Sequence, residues 1–124
     1  MRLQLYPEPP GYKDEGAVQS FIRKDLKKRP DLRLLVEDFF DKVRNAQSLD
    51  PFFRNQTIAP LKYINGDLYE MRIPQKRGGG VVRIYFIKQP GDDGLLVLLD
   101  GELKKDTAPG KTGRAEKRMK DYLK

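Results

Sequence analysis

Two arginines stand inside runs that otherwise read as β-strands. Arg72 lies in Leu68-Tyr69-Glu70-Met71-Arg72-Ile73, and Arg83 lies in Val82-Arg83-Ile84-Tyr85-Phe86. A third run, Leu95 to Leu99, leads through Asp100-Gly101-Glu102 to the pair Lys104-Lys105. A cation in an apolar strand is costly unless something anionic meets it. Guanidinium forks match phosphate oxygens, so the chemistry to expect is phosphate handling on a sheet. Asp100 and Glu102 are the carboxylates nearby that could accept a proton. Other chemistries drop out by composition. The chain has no cysteine and no histidine. That removes disulfides, thiolate metal sites, the usual zinc ligands, and Ser-His or Cys-His nucleophilic catalysis. Gly78-Gly79-Gly80 is not a nucleotide-phosphate loop, because no Gly-Lys-Ser/Thr follows it and it does not open a helix.

Strand alternation decides which face the cations occupy. Tyr69, Met71 and Ile73 share one face of their strand, and Leu68, Glu70 and Arg72 share the other. In the next strand Val82, Ile84 and Phe86 oppose Arg83 and Tyr85. Both apolar sets must meet the same core, so Arg72 and Arg83 are expected together on the opposite, open face. Lys104-Lys105 is expected near the end of the third strand. The bland alternative is that Arg72 pairs with Glu70 and Arg83 is a surface cation. Exposed pairs of that kind contribute only ~0–1 kcal/mol.

The elements that must position these residues are also visible. Met1, Leu3 and Leu5 alternate with polar neighbours and predict a short strand, stopped by Pro7, Pro9 and Pro10. Asp14 is placed to N-cap a helix that carries Val18, Phe21, Ile22 and Leu26 at helical spacing. Pro30 suits the first turn of a second helix with the stripe Leu32, Leu35, Val36, Phe39 and Val43. Two amphipathic helices so closely joined predict an antiparallel hairpin. A loop is expected from about Ser48 to Pro60. Leu61 to Ile64 and Leu68 to Ile73 flank Asn65-Gly66, a strong hairpin signal because both turn residues accept positive φ. Leu95 to Leu99 is apolar on both faces and predicts a central, covered strand. Ala115, Met119, Tyr122 and Leu123 predict a C-terminal helix, with Thr112 as its cap. The expected fold is α+β: one domain over residues 1–124, a small and mostly antiparallel sheet, the helix hairpin packed on one face, and a C-terminal helix.

Charge adds a direction. The formal net charge is +7, and the last 21 residues hold eight basic and three acidic side chains, most of the excess. A localised basic patch favours nucleic acid or another polyanion, and a solvated terminal helix is the plain alternative. No run approaches the ~18 apolar residues of a membrane span, and Met1 to Pro7 reads as too short and too alternating for a signal peptide. A cytoplasmic protein without membrane partners, metal or cofactor is the expectation.

At this point the motifs resemble a known family. The runs Leu68 to Arg72, Val82 to Phe86, Leu98-Leu99-Asp100-Gly101, Lys104-Lys105 and Arg114 to Leu123 resemble, in order and spacing, the RelE/ParE toxin superfamily, and most closely its HigB-like, phage-derived branch. The resemblance covers the chain from about Leu61 onward in sequence. It implies a RelE-like fold and the toxin of a type II toxin–antitoxin system, a ribosome-dependent and metal-independent mRNA endonuclease. The implied partners are mRNA on the ribosome and a cognate antitoxin of helix-turn-helix type, with DNA reached only through that antitoxin. Carried over by position, Arg72, Arg83, Lys104 and Lys105 are the implied catalytic residues. Lys62, Lys76, Arg77, Tyr85 and Lys111 are further candidates for RNA contact, and Asp100 or Glu102 for the base. The chain departs from the branch in carrying Asp100 where histidine is common, in a segment after the lysines that is one residue shorter, and in lacking a tyrosine soon after them. The same superfamily contains toxins that bind and inhibit DNA gyrase without nuclease chemistry. That reading, and a degenerate member that only binds antitoxin or RNA, stay open here.

Overall fold

The computed structural model describes residues 1–6, 16–61, 67–74, 80–105 and 110–124. Asp14, the three prolines before it, Lys62 to Gly66, Lys76, Arg77, Gly78-Gly79 and the segment after Lys105 up to Pro109 lie outside the described residues. The elements run β1 (Arg2–Leu5), α1 (Ala17–Asp25), α2 (Pro30–Asn45), α3 (Asp50–Arg54), β2 (Ile58–Pro60), β3 (Tyr69–Ile73), β4 (Val81–Gln89), β5 (Asp92–Lys104) and α4 (Gly113–Tyr122). The strands form one sheet in the order β1-β5-β4-β3-β2. Every pairing is antiparallel except β1 with β5. The class is α+β, as the sequence predicts.

β5 carries the fold. Leu96, Val97, Leu98 and Leu99 are all fully buried, as a strand covered on both faces requires. Two cores result. On one face Met71, Ile73, Val82, Ile84, Phe86, Leu96 and Leu98 pack with residues of α1, α2 and α3. On the other, Leu68, Tyr85, Ile87, Val97 and Leu99 pack with Ala115 and Met119 of α4. The sheet is therefore a middle layer, with α4 opposite the other helices.

Several local expectations shift. Residues 48–60 are not all loop. Asp50-Pro51 opens a short helix in which Phe52 is buried, because proline at the first turn gives up no needed donor. A strand, Ile58–Pro60, pairs with β3 ahead of the expected hairpin, and of Leu61 to Ile64 only Leu61 lies among the described residues. The Leu61 amide donates to the Leu68 carbonyl at 2.8 Å, continuing the ladder past Pro60. α1 starts at Ala17 with Gly16 in the cap position. In α2 the core stripe is Leu32, Val36, Phe40 and Val43; Leu35 is exposed and Phe39 only borders the core. At the chain end Leu123 is exposed. The N-terminal strand is an edge strand, parallel to β5 through the partners Arg2–Leu95 to Leu5–Leu98. Among the described residues no helix is long and apolar enough to cross a membrane.

Candidate functional site

Register brings the predicted residues into two rows across β3, β4 and β5. Glu70 is opposite Tyr85, and Tyr85 is opposite Asp100. One step along, Arg72 is opposite Arg83, and Arg83 is opposite Glu102. Cross-strand partners share a face, so all six lie on the face away from α1–α3. A β-bulge makes this possible in β5. Between the pairs Tyr85–Asp100 and Phe86–Leu98 the strand carries one extra residue, Leu99. Unbroken alternation from Leu96 and Leu98 would send Asp100, Glu102 and Lys104 into the helix-side core. The inserted residue flips them onto the arginine face.

Glu70 organises the arginines. Its side chain is almost wholly buried, at 2% exposure for the residue. Arg72 Nε donates to its Oε1 at 2.7 Å. Arg83 Nη1 donates to Oε1 at 3.0 Å and to Oε2 at 2.9 Å. Both arginines remain partly exposed. The cluster of one carboxylate and two guanidinium groups keeps one net positive charge. Arg83 Nε is buried without an acceptor among the described residues.

Glu102 lies beside this cluster, part-exposed. Its Oε2 accepts the Tyr85 hydroxyl at 3.1 Å and the Lys111 backbone N–H at 2.9 Å. Tyr85, expected on an RNA surface, is instead fully buried. The cause is α4, whose Ala115 and Met119 cover that part of the sheet. Burial, then the charge of Glu102 and the hydrogen bond to it, push the Tyr85 phenol far above its usual range. It serves as a fixed donor. The chain passes close over it: a side chain at Gly110 would put its Cβ 2.3 Å from Tyr85 Oη.

The remaining candidates divide. Lys104 ends β5 and is buried, while Lys105 next to it is exposed. Lys111 is exposed at the site's edge. Asp100 is not part of the arginine pair. At 3% exposure it sits under α4, where Oδ2 accepts Arg114 Nε at 3.1 Å and Oδ1 takes Arg118 Nη1 at 3.0 Å. Lys62, Lys76 and Arg77 lie outside the described residues. No group of acidic side chains among the described residues is arranged to hold a metal.

A groove that no motif or spacing in the sequence marks lies next to Arg72. Phe53, Ile58, Pro60, Tyr69 and Arg72 line a depression of about 620 Å³ along the β2 edge. Tyr69 stacks on Phe86 at 5.4 Å between ring centres, and Lys88 Nζ stands 5.3 Å over Tyr69. Such a slot, aromatic and rimmed by a guanidinium, suits an unstacked nucleobase. Phe53 belonged to the expected loop, which hid it. Compared with protein-family models, curated proteins and solved structures, the chain matches none.

Proposed function

We propose that this protein is a RelE/ParE-like toxin that binds mRNA on its open sheet face and cleaves it on the ribosome, without a metal. In this reading the sheet with its N-terminal helix pair and C-terminal helix is a RelE-like arrangement. The observation that carries the proposal is the face-to-face pair Arg72–Arg83, aligned by the buried Glu70. A phosphate would meet the part-exposed portions of the two guanidinium side chains, since Arg83 Nε itself is buried. The neighbouring aromatic groove supplies a place for a base.

The reaction is attack of the ribose 2′-hydroxyl on the adjacent phosphate. The hydroxyl proton goes to a base, the P–O5′ bond breaks, and the leaving 5′-oxygen takes a proton. Arg72 and Arg83 stabilise the charge that builds on the phosphorane, each contact lowering the barrier by ~3 kcal/mol. Glu102 is the better of the two carboxylates for the base. Both Asp100 oxygens are taken by arginines under α4, whereas Glu102 is part-exposed and bound through one oxygen.

Arg83→Ala is expected to lower mRNA cutting by purified protein with translating ribosomes at least ~100-fold, while circular dichroism stays that of the wild type. Undiminished cutting by a folded Arg83→Ala protein sinks the proposal. A second reading is favoured by one feature: Glu70 already neutralises half the arginine charge, as in a surface that binds without chemistry. A gyrase supercoiling assay beside the ribosome assay separates a gyrase inhibitor from a nuclease.

A further inference from the structure

A second carboxylate on the same sheet face also holds two arginines. β1 stops pairing with β5 at Leu98. Past that point the β5 edge is flanked by α1 on one side and α4 on the other, and a notch of about 190 Å³ opens between them. Its polar lining is Ser20, Lys24 and Asp25 of α1, Asp100 of β5, and Arg114 and Arg118 of α4.

Asp100 fixes the two guanidinium groups. Arg118 Nη1 is shared between Asp100 Oδ1 at 3.0 Å and the Leu99 carbonyl at 2.9 Å. Arg114 spends only Nε on Asp100, and its Nη groups have no partner among the described residues. Asp100 is nearly fully buried, so its charge is consumed by this pair and is not presented to solvent. Lys24 and Ser20 of α1 line the wall of the notch opposite α4. Three cations against two carboxylates leave the notch net positive, and its size admits a phosphate group. Arg118 is held in place by two bonds before any ligand arrives, and such preorganisation strengthens oxyanion binding.

Its position adds the functional content. Glu70, Tyr85 and Asp100 form one cross-strand row, so the two Arg–carboxylate–Arg clusters are two strand spacings apart, about 10 Å between backbones. We propose that the notch is a second phosphate site, which holds a non-scissile phosphate of the RNA strand whose cleaved phosphate sits at Arg72–Arg83. This rests on the RNA reading above. The notch would fix the direction in which the strand leaves the arginine pair.

The test uses a single-stranded 2′-O-methyl RNA, which cannot be cut, followed by fluorescence anisotropy over a range of salt. Lys24→Glu is expected to weaken binding at least ~tenfold and to flatten the slope of log K against log salt by about 0.7, the loss of one phosphate contact. Lys27→Glu, the same charge change outside the notch, is expected to weaken binding less than about threefold. Equal losses in the two variants, or no loss in Lys24→Glu, overturn the proposal. Arg114→Gln, with its melting temperature recorded, gives a second variant from the opposite wall. Inorganic phosphate is the independent probe, read by NMR at the Gly101 and Arg114 amides in wild type and Lys24→Glu. No phosphate response there overturns the site itself. A phosphate response in a protein that binds no RNA puts the failure in the RNA reading and overturns the strand-spanning claim.

Discussion

Glu70 sets what the two arginines can do. It lowers the net charge that meets a phosphate, yet it holds both forks in place. Glu70→Gln separates those effects. The variant should bind RNA more tightly, because a negative charge is gone, and cut it ~10-fold more slowly, because the forks lose alignment. It should also be less stable by ~1–3 kcal/mol, the usual cost of leaving hydrogen-bonded charge unmatched. Anisotropy, the ribosome assay and urea melts read the three effects separately; parallel falls in binding and cutting would contradict the positioning role. Tyr85 makes a different prediction. Its phenol is raised by burial and by Glu102, so the folded protein keeps a proton that the unfolded chain releases near pH 10. The stability this contributes is complete below about pH 10 and is lost as pH rises above it. In an absorbance titration at alkaline pH, the late phase of tyrosine ionisation that accompanies unfolding should be missing from Tyr85→Phe. Alternation alone made the shared face of Arg72 and Arg83 legible. The role of Glu70 was visible only as half of an exposed pair, since a sequence does not show that Arg83 reaches the same carboxylate from the next strand.

The strand β5 explains why the rest of the site was harder to read. Period-two alternation works until the extra residue Leu99 breaks it, and bulges carry no sequence mark of their own. Glu102 and Lys104 therefore had a position along the chain but no face. The buried state of Tyr85 had the same kind of cause. The C-terminal helix was evident from Ala115 and Met119, but nothing in its stripe said which side of the sheet it would cover. Gly101 follows the bulge and returns the strand to the helix side. There a Cβ would lie 2.4–2.9 Å from ring carbons of Phe21. Phe21 belongs to a packed core and cannot give way cheaply. Gly101→Ala should cost ~1–3 kcal/mol as overpacking, seen as a lower urea midpoint with an unchanged slope. Adding Phe21→Leu should recover part of that loss. An additive double variant would mean that the glycine is needed for backbone reasons and not for the close approach of α1.

The whole molecule places its charge unevenly. Most of the +7 excess lies after Leu103, and α4, which carries four of those basic side chains, covers part of the same sheet face as the arginine pair. The opposite face is spent on α1–α3 and its core. A polyanion thus meets most of the cations on one side, and binding there must stabilise the fold, since an unfolded chain presents no such surface. Ligand at a hundred times its dissociation constant adds ~2.7 kcal/mol. For a domain of this size each kcal/mol moves the melting temperature by about 4 °C. Single-stranded RNA at low salt should therefore raise the melting temperature by roughly 10 °C. The shift should shrink steeply as salt is added, because counterion release drives the binding. Arg72→Ala with Arg83→Ala should keep a smaller shift, as the cations near α4 still act. A protein built to hold gyrase rather than RNA would show the opposite order, with gyrase raising the melting temperature and RNA leaving it within a degree or two at ordinary salt.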